Sequence, residues 1–324
     1  MRPCDVGIFR FDIVSLFLCE PRMTVKTTAC SGVGNFLEVE CMERIEDIIL
    51  RHSQRGMTKL RPCLEADYCR LAAEEIYSWK RGVIFLTTGF YVAGFPETDG
   101  PTGTAVLASV LRDMGFTPVI VTEPENAELF TIRGFEVIPA EVGVDVDFFR
   151  QMISERRPVG MISVERCGLN ADDDYANMRG ISIREHNAPT DMLFQIAPEY
   201  DIRTVGVGDG GNEIGMGNVA DVIEKDLSLV PCVVKVDHLV IASVSNWGAY
   251  GLAAYLSILD GKHLMPSYAW AADYMKETVE IGSVDGITHE RVTHVDGFDE
   301  SVEQEIIDAL AAEIDAELAQ RAAV

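Results

Sequence analysis

The sequence predicts an α/β protein: a mainly parallel sheet with helices on both faces, in Rossmann-like layers. Three observations carry this. Six short β-rich runs, from "GVIFLTT" to "HLVIASV", alternate with helix-periodic stretches, the pattern of crossover-connected parallel strands. Glycine- and acid-rich loops follow four of these runs, where such sheets carry their ligand sites. The chain of 324 residues is 48% hydrophobic and 24% charged, enough to bury a substantial core.

The first 41 residues differ from the remainder. They hold four of the eight cysteines (Cys4, Cys19, Cys30, Cys41), with four basic and five acidic residues. "IFRFDIVSLFLC" is apolar in the manner of a signal sequence, but Arg10 and Asp12 interrupt it and the preceding segment is barely basic. Residues 1–41 are expected to be a non-core extension with Met42 as the natural start; an extra edge strand is the rival reading. Residues 42–324 are expected to form a single α/β domain, since no low-complexity linker divides them.

Along that domain, "MERIEDIILRHSQRGM" carries Ile45, Ile48 and Ile49 at helical spacing and predicts an amphipathic helix. "EADYCRLAAEEIYSW" predicts a second. The strand "GVIFLTT" leads into the loop "PETDGPTGT" and the helix "AVLASVLRDMG", which ends on Gly115. "TPVIVTE" and "FEVIPAE" are strands, "VDVDFFRQMISER" a helix and "PVGMISVE" the fourth strand. "PTDMLFQIA" is a helix before the strand "IRTVGVG". Residues 236–258 are apolar over a membrane-spanning length, but Asp237, His238, Ser243, Ser245 and Asn246 interrupt them. They read as the strand "HLVIASV", a polar turn "SNWG" and a core helix "AYGLAAYLSIL". An alanine-rich amphipathic helix closes the chain.

Charge narrows the partners. Twenty-seven basic residues against 52 acidic ones give a net charge of −25, which disfavours nucleic acid and anionic membranes. Only seven of the basic residues are lysines; an acid-rich, lysine-poor surface suits a salty cytoplasm, where screening relieves self-repulsion. Salt adaptation and a cytoplasmic location are the expectations, and a homo-oligomer is compatible with them. Cys63, Cys69, Cys167 and Cys232 form no C-x-x-C pair, so neither a zinc site nor a disulfide framework is indicated.

The loop "GVGDGGNEIGMGN", residues 206–218, matches G-x-G-x-x-G literally. A dinucleotide loop starts its helix directly behind the glycines. Here glycines continue through Gly215 and Gly217, delaying any helix to about Asn218, and Asp209 sets a negative charge where a diphosphate would lie. No NAD is expected. Glycines alone would satisfy a tight turn, but Asp209, Asn212 and Glu213 stand among residues without bulk to shield them.

"ETDGPTG" supplies Glu97 and Asp99 before Gly100-Pro101, a proline-initiated helix start; capping that helix is the commoner role for Asp99. "ERCGLNADDDYANMRG" supplies Glu165 and Arg166 at a strand end, with a triple aspartate that lacks calcium-loop spacing and reads as a solvated tip. Arg166, Arg179 and Arg184 are sensible clamps for a carboxylate substrate. Carboxylates converging on one crevice need protons or a cation. A divalent metal, Mg or Mn, explains Glu97, Asp99, Asp209 and Glu213 together, because both ions favour oxygen ligands. The scattered histidines show no metal-ligand spacing. G-x-S-x-G and P-loop motifs are absent from the sequence. "SVDGIT" and "HVDGFD" repeat V-D-G eleven residues apart and read as two Asp-Gly turns flanking short strands.

Together "ETDGPTGTAVLASVLRDMG", "ISVERCG", "YANMRG", "VGVGDGGNEIGMGNV", "VSNWGAYGL" and "SVDGIT…VDGF" resemble the D-glutamate cyclase-like C-terminal domain family, over roughly residues 42–310. The sequence departs from the family at Cys167, where proline is usual, and at Asp173-Asp174, where an Asp-Gly turn is usual. The resemblance implies dehydrating cyclisation of D-glutamate, a small acidic metabolite, to 5-oxo-D-proline. On that reading Asp209, Glu213 and Glu165 are candidate catalytic groups. Arg166, Asn177, Arg179, Asn212, Ser245, Asn246 and Trp247 are candidate substrate contacts. The family's full-length cyclase carries a further N-terminal half, so two alternatives stay open: another metal-dependent reaction on a small acidic or phosphorylated metabolite, and a non-catalytic metabolite or nucleotide binder.

Overall fold

The structure, a computed structural model, describes residues 23–27, 37–41, 43–227 and 229–323. The chain divides into two units, 1–44 and 45–324. In the first, β1 (Met23–Thr27) and β2 (Leu37–Cys41) pair antiparallel, with Met23 opposite Cys41. The apolar stretch "IFRFDIVSLFLC" and Met42, on which the expected 1–41 extension turns, lie outside the described residues.

The second unit opens with α1 (Ile45–Ile48), α2 (Met57–Leu60) and α3 (Tyr68–Ser78). Next come β3 (Val83–Thr88), a small ribbon of β4 (Tyr91–Val92) and β5 (Phe95–Pro96), and α4 (Pro101–Asp113). β6 (Thr117–Thr122), α5 (Ala127–Thr131), β7 (Glu136–Pro139), α6 (Val146–Arg156) and β8 (Gly160–Val164) follow. The rest is α7 (Asp191–Ile196), β9 (Arg203–Gly208), α8 (Ala220–Asp226), β10 (His238–Ile241), α9 (Ser245–Asp260), α10 (Tyr268–Ile281) and α11 (Glu300–Ala322).

All six predicted strands pair in one parallel sheet of order β10-β9-β8-β3-β6-β7. Leu86 of β3 lies between Ile120 of β6 and Ile162 of β8, and all three are fully buried, as central strands covered on both faces must be. From β3 the chain runs to one edge, then returns beside β3 at β8 and runs to the other. Right-handed crossovers then put α4 and α5 on one face and α6 and α7 on the other. In keeping with this, α4 packs on α9 and α6 packs on α7. The order reverses between β3 and β8, and a crevice opens there beyond the strands' carboxyl ends.

Two local readings need correction. The first predicted helix is only Ile45–Ile48: the chain turns away at His52, whose φ is 56°, where Arg51 and His52 both pair with Glu305. This break matters, because it brings Arg55 inward. "SNWG" is the first turn of α9, not a turn ahead of it, because the chain enters helix directly after Val244. The apolar residues of α9 are buried against α3, α4 and α11, which accounts for their hydropathy. Among the described residues no helix is long and apolar enough to cross a membrane.

Candidate active site

Six carboxyl groups converge beyond the strand ends: Glu97, Asp99, Glu165, Asp209, Glu213 and Asp296, none more than 6% exposed. Asp209 follows β9 directly, and Glu165 follows β8. Glu165 adopts a left-handed backbone, φ 45°, at a cost of about 1–2 kcal/mol for a residue with a Cβ. Its N–H donates to Val207 O at 3.2 Å, so the chain kinks at the strand end. The carboxylate accepts the Ser245 hydroxyl at 2.5 Å.

Asp99 does cap a helix, but α9 and not the α4 that follows it. It accepts N–H bonds from Gly100 (2.9 Å), Ser245 (3.0 Å) and Asn246 (2.8 Å), so it closes the start of α9. Asn246 returns the favour to α4: its Oδ1 accepts from Gly100 N at 3.0 Å and Gly103 N at 2.6 Å. Two helix N-termini thereby face the same carboxylate, and the loops after β3 and β10 are locked together.

The glycines of residues 206–218 make room for Glu213. Its carboxylate folds back to accept Gly210 N and Gly211 N, both at 2.7 Å. A Cβ at Gly210 would stand 2.7 Å from Glu213 Oε1, and one at Gly208 2.9 Å from Oε2. The N–H groups that a diphosphate would need are thus engaged by the protein's own acid.

Two members of the site were missed. Asp296 comes from the second V-D-G turn, which by sequence reads as only a turn. The first turn fits that reading, since Asp285 accepts N–H bonds from Ile287, Thr288 and Gly297. The second also delivers a side chain inward, because residues 284–294 are stitched to residues 96–98: Thr98 N donates to Val284 O, and Thr98 Oγ1 to His294 O. A Cβ at Gly286 would sit 1.7 Å from Glu97 Oε1, so only glycine lets Glu97 lie there. The other missed residue is Arg55. Its Nη1 donates to Asp209 Oδ1 at 2.7 Å and its Nη2 to Asp296 Oδ1. The doubled V-D-G was the signal for Asp296; nothing local marks Arg55.

The other predicted residues divide. Oxygens of Asp99, Asp209 and Asp296 all lie within 4.8 Å of one another, as do those of Glu165, Asp209 and Glu213. Asp209 belongs to both trios. Of the predicted metal set, Glu97 stands aside against Gly286. Ser245 and Asn246 act as positioning groups. Asn212 donates to Ala176 O at 3.0 Å, and its Oδ1 is buried without a partner.

Arg166 is not brought to the cluster as a clamp. Its guanidinium is 1% exposed, paired with both oxygens of Glu123, and donates to Gly89 O and Ala188 O. Trp247 is likewise internal, its indole N–H bonded to Glu303 at 2.6 Å. Asn177 accepts from Arg179 N and Ile181 N within its own turn. Arg179 is exposed beside Met178, whose Sδ would stand 2.9 Å from a Cβ at Gly210.

Crowding reshapes the acidities. Burial, then the Asp296 charge, pushes Asp99 up to about 8 against the pull of its N–H donors. Burial pushes Asp209 up to about 7, with Asp99 and Glu213 adding to it and Arg55 opposing. Glu97, Glu165 and Asp296 are driven well above the carboxylate range, first by burial and then by their acidic neighbours. Glu213 is raised by burial, although the Gly211 and Gly210 N–H groups favour its anion. Folded-state values above the unfolded ones (about 4) mean stability that is present in acid and lost as pH rises through the folded values. The cation-free protein should therefore lose thermal stability between about pH 5 and pH 8; a melting temperature that is flat or rises over this window would refute the crowding.

The profile of the family described as "D-glutamate cyclase-like, C-terminal" matches residues 45–311. Human "D-glutamate cyclase, mitochondrial" is 43% identical over 201 residues, covering 54% of this chain. The match spans 33% of that relative, so this chain corresponds to about a third of its length. Among solved structures there is a likeness to the Bordetella bronchiseptica enzyme WbmG in complex with NAD. It has 12% identity and a TM-score of 0.28, with 55% of this chain and 50% of that one covered, too low to bear on fold or ligand. With a profile match over most of its length and the motif-bearing loops assembled at one crevice, the chain belongs to the D-glutamate cyclase-like C-terminal family.

Proposed function

We propose that this chain is an enzyme acting on a small acidic metabolite, and that its reaction is the dehydrating cyclisation of D-glutamate to 5-oxo-D-proline, assisted by a divalent metal. The observation that carries the proposal is the buried cluster of six carboxyls with one guanidinium against it, in which burial and crowding raise every acid toward or above neutral pH. Family membership and the name of the human relative, D-glutamate cyclase, support the choice of substrate.

Cyclisation forms a bond from the substrate nitrogen to its γ-carboxyl carbon and breaks one carbon–oxygen bond there, releasing water. The nitrogen gives up two protons and the departing oxygen gains two, so the protein's carboxyls end as they began. Glu213, its anion fixed by two N–H bonds, suits the role of base toward the ammonium. Glu165, driven well above the carboxylate range by burial, suits the role of acid toward the leaving oxygen. Ser245 orients it. Of the other two arginines read as clamps, Arg184 pairs with Asp174, which leaves Arg179, exposed beside the glycine loop, for a substrate carboxylate.

An anionic substrate entering six carboxyls and one guanidinium adds to a deficit of positive charge. The oxygens of Asp99, Asp209 and Asp296 suit Mg or Mn, and Asp209 Oδ2 and Asp296 Oδ2 are buried with no donor beyond the proton the two acids share. When bound there, such an ion supplies a Lewis acid that polarises the γ-carboxyl. The full chain incubated with D-glutamate and Mn²⁺ should yield 5-oxoproline, and L-glutamate should yield less. No product, with Mn²⁺ still raising the melting temperature, would overturn the cyclase reading while leaving a metal-dependent reaction of another kind.

A further inference from the structure

Arg55 holds the position that a cation at this site would need. Its two terminal nitrogens engage one oxygen each of Asp209 and Asp296, two of the three residues whose oxygens cluster within 4.8 Å. The second oxygens of the same two carboxyls are buried with no N–H or hydroxyl donor against them, and the two acids hydrogen-bond each other through a shared proton. Arg55 therefore satisfies one oxygen of each acid and leaves the other to a proton or a cation. Among the described residues it is the one guanidinium bonded to these acids.

Its mounting differs from that of other members of the cluster. Asp99 and Glu213 are held by backbone N–H groups. Arg55 instead hangs from the short connection between α1 and α2, between His52 at φ 56° and Gly56 at φ 86°. The Arg51 and His52 pairs with Glu305 anchor the connection on its N-terminal side. The Arg55 side chain keeps 16% exposure, against 0% for Asp209, so it forms the solvent-side wall of the cluster. A guanidinium and a divalent ion cannot share these oxygens without strong repulsion at low local dielectric.

We propose that Arg55 is an exchangeable counter-cation: it neutralises Asp209 and Asp296 in the resting protein and swings outward when a divalent cation takes the trio. The inference rests on the metal reading above. It makes Arg55 a positioning residue that sets metal affinity. Without the Arg55 charge the cation-free cluster is uncompensated, so Arg55→Met should melt below wild type in the absence of metal.

The test is direct Mn²⁺ binding, by calorimetry and by the loss of the free-ion electron paramagnetic resonance signal. It uses the full-length chain as wild type, Arg55→Met and Arg55→Lys, without substrate. Arg55→Met should bind Mn²⁺ roughly ten- to hundredfold more tightly than wild type, because no resident cation has to leave. Arg55→Lys, which keeps the charge but cannot bridge both acids, should fall between them. Should Arg55→Met fold only with Mn²⁺ present, the Arg55→Lys comparison decides alone. Equal or weaker binding by the variants, with wild type still binding, overturns the exchange and spares the metal reading. No binding by any of the three overturns both.

Discussion

On the proposed metal-assisted cyclase reading, Asp209→Asn is expected to lower turnover of D-glutamate by roughly 10³-fold and to abolish Mn²⁺ binding. Asp209 is the one residue common to both oxygen trios and the partner of Arg55. An asparagine keeps the shape but replaces one acceptor oxygen with an N–H donor aimed at cations. The same change removes one charge from a crowded, fully buried set. The cation-free variant should therefore melt at a higher temperature than wild type at pH 8, where burial and neighbouring acids make the ionised cluster unfavourable. Opposite signs for activity and stability are the mark of a functional cluster. Turnover within tenfold of wild type would remove Asp209 from the mechanism, whatever the stability does.

The second large effect concerns Arg166, and here stability should fall. Arg166→Met leaves Glu123 buried without its counter-charge, and strands the acceptors Gly89 O and Ala188 O. Breaking such a pair by removing one partner costs about 3–5 kcal/mol. For a unit of this size that is roughly a 5–9 °C drop in melting temperature. The double variant Glu123→Gln/Arg166→Met should regain part of the loss, since the orphaned charge is gone. A substrate clamp would behave otherwise: KM would rise with the melting temperature unchanged. Thermal unfolding and steady-state kinetics on the same preparations separate the two roles.

The outcome at Arg166 illustrates how much of the site was legible beforehand. Its residue type and strand-end position fitted an anion clamp. Its actual partner, Glu123, lies 43 positions earlier at the end of β6, and no local pattern joins them. Trp247 was misread for the same reason: its partner Glu303 comes from α11. Asp99 was read as either a helix cap or a site residue, and it is both, because the helix it closes starts 146 residues away.

What the sequence by itself determined is the sheet, its alternation with helices, and the loops that carry Glu97, Asp99, Glu165, Asp209 and Glu213. These follow from periodicity and glycine punctuation, which are properties of adjacent residues. What only the tertiary structure decided is which of these acids meet, that Asp296 joins them, and that Arg55 crosses 154 and 241 positions to pair with two of them. The physical reason is that burial and ion pairing depend on which strand ends are neighbours. The reversal of strand order between β3 and β8 fixes that, and with it how crowded and how acidic each carboxyl becomes.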